Sequence, residues 1–314
     1  MTTVLLSSAA CLAHDTPPGH PECPDRLRAV LRALEAEPFQ YLVRAEATPA
    51  NPEALKRVHS AELVGAILGP WAQRAHAEVY FSIDADTVMS AGTAEAAQLA
   101  AGAVIDAVDL VVSAKARNAF CAVRPPGHHA EPERAMGFCF FNNVAVGALH
   151  ARAVHGLRRV AVLDFDVHHG NGTQEIAQSD PDFFYGSTHQ WPLYPGSGSA
   201  DERGCAGNII NVPLAPGSDG TALRRAFGEK IFPALESFAP DIVFLSAGFD
   251  GHWADPLADL RFTAKDFAWL TQQTCSLADT VCGGRVVSTL EGGYDLAALA
   301  QSAAAHVEAL MGRP

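Results

Sequence analysis

The stretch Arg159-Val160-Ala161-Val162-Leu163-Asp164-Phe165-Asp166-Val167-His168-His169-Gly170-Asn171-Gly172 opens as a continuous apolar run and closes on carboxylates, imidazoles and glycines. Val160 to Leu163 has no polar face, as expected of a strand covered on both sides. Three more apolar runs end in the same kind of cluster. Ala119–Val123 leads into Arg124-Pro125-Pro126-Gly127-His128-His129, Ile242–Ser246 into Ala247-Gly248-Phe249-Asp250, and Val286–Leu290 into Glu291-Gly292-Gly293-Tyr294. In open α/β sheets the ligand crevice lies outside the carboxyl ends of the strands. The four loops are therefore expected to converge on one site.

Further strands are expected at Val4–Ser7, Tyr41–Arg44, Phe183–Ser187 and Asn208–Val212. Amphipathic segments at Asp25–Glu37, Thr93–Val108, Asn143–Val154, Gly220–Glu236, Ala264–Asp279 and Asp295–Leu310 read as helices. This alternation predicts an α/β fold with a mainly parallel sheet and helices on both faces, in a single domain over 1–314. Lys and Arg number 22 against 35 Asp and Glu, a net charge of −13 that argues against direct nucleic-acid binding and favours cationic partners. The seven cysteines form no C-x-x-C pair and are expected as buried small hydrophobes in a reducing compartment. No uncharged apolar stretch reaches the ~18 residues of a membrane span. Met1 to Ala13 lacks the basic start of a secretory signal and reads as a first buried strand. A soluble cytoplasmic protein is the expectation, and a homo-oligomer stays open.

Asp166 and His168 lie two apart, so on extended chain both point the same way. Asp250, from another strand end, is the natural third member of a metal site. Two carboxylates and an imidazole suit Zn²⁺ or Fe²⁺, and three protein ligands leave positions open for water and substrate. His128 and His129 follow a rigid Pro-Pro-Gly turn and could divide acid and base duties, with Asp164 and Asn171 available behind the rings. Alone, the pair reads equally as metal ligands or surface histidines. Tyr294, after two glycines, could donate a hydrogen bond to a developing oxyanion, though a packed core tyrosine has the same signature. Gly137-Phe138 and Leu193-Tyr194-Pro195-Gly196 put aromatic rings on loops, where two facing rings would form a slot for a methylene chain. No G-x-G-x-x-G, G-x-x-x-x-G-K-[ST] or G-x-S-x-G occurs, so neither a nucleotide cofactor nor a serine nucleophile is suggested.

At these residues the chain resembles the histone deacetylase superfamily, particularly its class II branch and the bacterial deacetylase-like amidohydrolases. The resemblance runs in order through His20–Leu27, Arg124–His129, Gly137–Asn143, Asp164–Thr173, Tyr194–Gly198, Ser246–Leu257 and Glu291–Tyr294. It implies an arginase-like α/β fold and hydrolysis of acylated lysine or a similar N-acyl amine by catalytic Zn²⁺ on Asp166, His168 and Asp250. His128 and His129 would be the acid/base pair, and Tyr294 the phenol that polarises the carbonyl. Phe138 and Tyr194, beside Gly137, would wall a tunnel with Leu257 at its rim. Asp86 would grip the substrate backbone, and Arg26 would serve a product cavity. The resemblance also implies structural potassium, one ion on Asp164, Asp166, His168, Ser187 and Thr188, a second on carbonyls around Ala177, Asp180, Phe183 and Asn208. Three positions separate the family's branches. Asn171 stands where some carry Asp, Tyr294 is kept where a poorly active branch has His, and Leu257 stands where polyamine-selective relatives carry Glu. Acetylpolyamine hydrolysis, non-catalytic binding of acyl-lysine and an arginase-like manganese hydrolase are the rival readings.

Overall fold

A computed structural model describes residues 2–312, so Met1 and the last two residues of the expected domain lie outside the described residues. Among the described residues ten strands form: β1 (Thr3–Ser7), β2 (Val43–Glu46), β3 (Phe81–Ser82), β4 (Val88–Met89), β5 (Asn118–Cys121), β6 (Val160–Asp164), β7 (Phe183–Gln190), β8 (Ile209–Leu214), β9 (Ile242–Ala247) and β10 (Val286–Leu290). Eight of them make one sheet in the order β2-β1-β5-β10-β9-β6-β7-β8, parallel at every pairing, while β3 and β4 form a small antiparallel hairpin. The four strands that end in chemical clusters, β5, β10, β9 and β6, are consecutive neighbours. Their register is flush at the carboxyl end, where Asp164 pairs with Ser246 on one side and Ser187 on the other. The chain passes from β5 to β6 and fills the gap later with β9 and β10, which brings four loops from distant sequence to one crevice.

Helices Thr93–Val112 and Asn143–His155 pack together against the sheet, and Pro24–Ala33, Ala264–Cys282 and Leu296–Leu310 form a second group. Every residue of β5, β6, β7, β9 and β10 is buried, as the continuous apolar runs demand. The second strand begins two residues later than the sequence pattern suggested. The helix expected over Gly220–Glu236 is three pieces, Gly220–Ala226, a π turn at Phe227–Ile231, and Phe232–Phe238. Pro233 explains the break, since it has no N–H to donate and its ring crowds the carbonyl four residues back.

Between β2 and β5 the chain adds short helices, Pro52–Leu55, Ala61–Leu68 and Pro70–Glu78, that periodicity did not reveal. Asn51 and Ser60 cap two of them through their side chains. Leu55, Val64, Ile67 and Met89 join Phe140, Phe141 and Val146 in a second apolar cluster that anchors the hairpin loop carrying Asp86. All seven cysteines are free, but the expectation of burial holds only for Cys11, Cys121, Cys139 and Cys282. Cys23 and Cys275 are half-buried and Cys205 is exposed.

Candidate active site

Strand β6 ends at Asp164, and the turn that follows delivers Asp166 and His168, while Asp250 arrives from the loop after β9. One ligand atom of each lies within 4.8 Å of the other two. His168 Nδ1 is 3.1 Å from Asp166 Oδ1 and 3.1 Å from Asp250 Oδ2. Backbone N–H groups hold the carboxylates in place. Gly292 N donates to Asp166 Oδ2 at 2.8 Å and Val167 N to Asp250 Oδ1 at 2.9 Å. A Cβ at position 292 would stand 2.1 Å from Asp250 Oδ2, so only glycine lets that loop approach the ligands. Burial, and then the charge of Asp166, push the Asp250 carboxyl up to about 7. A cation between the two carboxylates would relieve that repulsion, and the N- and O-donor set fits a divalent metal.

Two imidazoles face this group, the ring centres of His128 and His129 being 4.0 Å apart with their planes tilted by 42°. His128 Nδ1 donates to Asp164 Oδ2 at 3.0 Å, and Tyr185 Oη donates to the same oxygen at 3.0 Å. His129 Nδ1 meets Asn171 Oδ1 at 2.8 Å, and Asn171 Nδ2 donates to Glu131 Oε1 at 2.7 Å, which fixes the amide's orientation. The two rings are driven apart electrostatically. Burial alone would lower His128, yet Asp166 and Asp164 lift it to about 10. His129 is held well below its ordinary value by burial and then by the neighbouring rings of His128 and His168. One imidazole thus holds its proton and the other is neutral, with Nδ1–H spent on Asn171 and the Nε2 lone pair free. Gly137 makes room for this ring, since a Cβ there would stand 2.6 Å from His129 Cδ2.

A cavity of about 230 Å³ opens over the site, lined by Asp86, His129, Gly137, Phe138, His168, Leu193, Tyr194, Leu257 and Tyr294. All but Leu193 are residues singled out from sequence. Phe138 packs edge-on to Tyr294 at 6.0 Å, and Tyr194 packs edge-on to His129 at 5.1 Å. Burial holds the Tyr294 phenol well above its ordinary value, against the opposing pull of Arg26, so it keeps its proton.

The sequence matches the histone deacetylase domain family over residues 20–310. The chain belongs to the histone deacetylase family. It is 39% identical to "Histone deacetylase 14, chloroplastic" of Arabidopsis thaliana, over 98% of this chain and 77% of that protein. It is 38% identical to the "Histone deacetylase-like amidohydrolase" of Pseudomonas aeruginosa, over 94% of this chain and 77% of that one. The crystal structure of the HDA15 HD domain superposes with a TM-score of 0.93 at 36% identity, covering 99% of this chain and 88% of that one. The arginase/deacetylase fold and a hydrolase of the histone deacetylase family follow.

Several buried groups of this deacetylase-family site escaped the sequence reading. Glu22 takes a two-pronged contact from Arg124, Nε to Oε1 at 2.5 Å and Nη2 to Oε2 at 2.7 Å, and a third bond from Arg26 at 3.0 Å. Arg26 is not part of this cavity's lining. It lies behind Tyr294, its Cζ 4.8 Å from the ring centre, and donates to the carbonyls of Gly293 and Glu291. Glu291 accepts from the backbone N–H of Gly127 and His128 and from Ser246 Oγ, clamping the histidine loop. Asp255 Oδ2 accepts from Tyr294 N at 2.7 Å and its Oδ1 from Leu257 N at 3.0 Å, tying rim to phenol. Charged residues within loops that already look chemical were the available signal for all of these.

The expected potassium positions differ from one another. Asp164 and Ser187 stand side by side at the strand ends, and Thr188 Oγ1 is buried with no hydrogen-bond partner among the described residues, which fits a cation. At the second position the carbonyls of Ala177, Asp180 and Phe183 do converge, but on Asn208 Nδ2, at 2.9, 3.0 and 2.7 Å. Asn208 Oδ1 accepts from Ala206 N at 3.2 Å, so the amide is correctly oriented to donate. That place is filled by a side chain, and the second ion is withdrawn. Among the described residues no helix is long and apolar enough to cross a membrane.

Proposed function

We propose that this chain hydrolyses the amide of acetylated lysine, or of a similar N-acyl amine, with one Zn²⁺ held by Asp166, His168 and Asp250, as one catalytic domain over 1–314. What supports this reading is the meeting of three ligand atoms within 4.8 Å at a cavity whose lining also includes His129 and Tyr294. Bound there, the ion would polarise the acyl carbonyl and acidify water.

The protein's own groups do the remainder. The apolar walls of Phe138, Leu193, Tyr194 and Leu257 take the methylene chain, and Asp86 at the rim accepts from the substrate backbone. His129, neutral with Nε2 free, takes the water proton, while Asn171 holds its tautomer. Tyr294 donates to the acyl oxygen as negative charge builds there, a contribution of about 3–4 kcal/mol in comparable sites. His128, cationic against Asp164, supplies the proton that releases the amine. One potassium ion on Asp164, Asp166, His168, Ser187 and Thr188 would steady the strand ends.

Acetylated polyamines are the second reading. Asp86 at the mouth and the net charge of −13 favour a cationic substrate, whereas Leu257 gives the rim no second carboxylate. Turnover of zinc-loaded protein on acetyl-lysine peptides, acetylputrescine and acetylspermidine decides between them. The peptides are expected to have the highest kcat/KM. Saturable binding without turnover across the panel would overturn the catalytic reading in favour of an acyl-lysine binding protein.

A further inference from the structure

Asp109, on the helix Thr93–Val112, and His150 and His155, on the helix Asn143–His155, form a second meeting of ligand atoms. His150 Nε2 and His155 Nε2 lie 2.7 and 2.6 Å from the same oxygen, Asp109 Oδ1, and the three atoms fall within 4.8 Å of one another. The helices pack along each other, so the side chains rise from a rigid base. Helices of a parallel α/β sheet run back against the strands, which puts these C-terminal turns at the edge opposite the catalytic crevice. From the start of the Asn143–His155 helix to His155 the rise is on the order of 18 Å. The reaction above makes no use of this cluster.

We propose that Asp109, His150 and His155 form a second divalent-metal site, for ions of the Zn²⁺, Co²⁺ and Ni²⁺ class, at the protein surface. Two imidazole nitrogens and one carboxylate oxygen are the donors these ions prefer. Bonds of about 2.0–2.1 Å in a tetrahedron separate ligand atoms by about 3.3 Å, so each nitrogen need retreat from Asp109 Oδ1 by only about 0.6–0.7 Å. Asp109 is exposed and His155 half-buried, which leaves a fourth position to water. Both helices end here, and their C-terminal carbonyls favour a cation. Asp106, one turn before Asp109 and held by Thr48, adds a further negative charge.

Arg57 opposes the ion. Its Nη1 lies 3.3 Å from His150 Nδ1, and a guanidinium can only donate. That contact places the ring's proton on Nε2, the atom that faces Asp109. Metal at Nε2 requires the proton to sit on Nδ1 instead, so the exposed Arg57 side chain must swing away. The metal and Arg57 therefore compete for one tautomer of His150.

The test uses the protein with its active-site metal already loaded, dialysed against micromolar Zn²⁺ or Co²⁺ and then assayed for bound metal. Wild type is expected to hold one equivalent more than Asp109→Asn or His155→Ala, with Co²⁺ giving the visible absorption of a four-coordinate ion. Arg57→Ala is expected to tighten the extra equivalent at least threefold. Deacetylase turnover of all three variants should stay within twofold of wild type, which certifies the fold and separates this result from the catalytic reading. Equal metal content in wild type, Asp109→Asn and His155→Ala would overturn the site. An unchanged affinity in Arg57→Ala would overturn the competition.

Discussion

Carboxylate and imidazole meet twice in this molecule, and the two meetings are built differently. Asp166, His168 and Asp250 stand on loops at the ends of adjacent strands, buried, with backbone N–H groups holding the second oxygen of each carboxylate. Asp109, His150 and His155 stand on helix surfaces, where Asp109 is open to water and the imidazoles already share one of its oxygens. Residue type is common to both; preorganisation is not. Strand ends aim several chains at one point and exclude water, which strengthens every charge interaction there. A helix surface offers ligands without a pocket, so it can hold an ion but has nowhere to put a substrate.

The harshest way to break this comparison is to remove one carboxylate from each cluster. Asp250→Asn is expected to reduce kcat/KM on the order of 10³-fold or more and to lower the active-site metal content. Asp109→Asn should leave turnover within twofold. Similar losses in both, measured with metal analysis on each variant, would mean that the helix cluster serves the chemistry. Tyr294→Phe comes next. It should lower kcat about 10²–10³-fold with metal content unchanged, because the role proposed for the phenol is on the acyl oxygen and not on the metal ligands. Wild-type kcat in this variant would remove Tyr294 from the reaction.

Much of the catalytic cluster could be read in advance because its loops announce themselves. Val160 to Leu163 has no polar face, so it had to be a covered strand, and the residues after it had to lie at the sheet's working edge. Asp250 and Tyr294 follow the same logic. The order of strands needed three dimensions, since nothing local to β5 or β10 says that they pair. Sequence marks Arg26 as a charged residue but not the direction of its three nitrogens, which turn toward Glu22 and the backbone behind Tyr294. The helix cluster was invisible, as Asp109 is 41 positions from His150 and only helix packing joins them. The short helices between Asn51 and Glu78 escaped because one or two turns cannot establish a 3.6-residue period.

Acid sharpens the contrast between buried and exposed imidazoles. Burial lowers His59 to about 4 and His189 and His306 to about 3. Each is neutral in the folded protein and takes up a proton on unfolding, so between pH ~6.5 and those values the unfolded chain binds more protons. Stability is fully present above pH ~6.5 and falls with pH below it, by about 2 kcal/mol per histidine at pH 5. His128 and Asp250, shifted upward, change stability the opposite way over this range, so the test compares wild type with His59→Gln, whose urea midpoint should fall less between pH 7.5 and 5. An equal fall in both proteins would mean that the His59 ring is charged inside the fold.

A third meeting of oxygens refines what the first two teach. The carbonyls of Ala177, Asp180 and Phe183 point at one spot, as they would around an ion, yet Asn208 Nδ2 occupies it. An amide nitrogen has two hydrogens for three acceptors, so the contact is shared, but no buried carbonyl is abandoned. Removing the amide should expose that debt. Asn208→Ala is expected to cost about 0.5–1.5 kcal/mol in potassium-free buffer, the usual net worth of a lost hydrogen bond, because the carbonyls of Ala177 and Asp180 keep Asp180 N and Phe183 N as donors. Potassium should then restore more stability to the variant than it adds to wild type, because only the variant has a vacated ring of carbonyls for it. Denaturation in matched sodium and potassium buffers reads both effects. If the variant is as stable as wild type in either salt, convergent carbonyls need no partner here, and the contrast between a side-chain plug and an ion loses its basis.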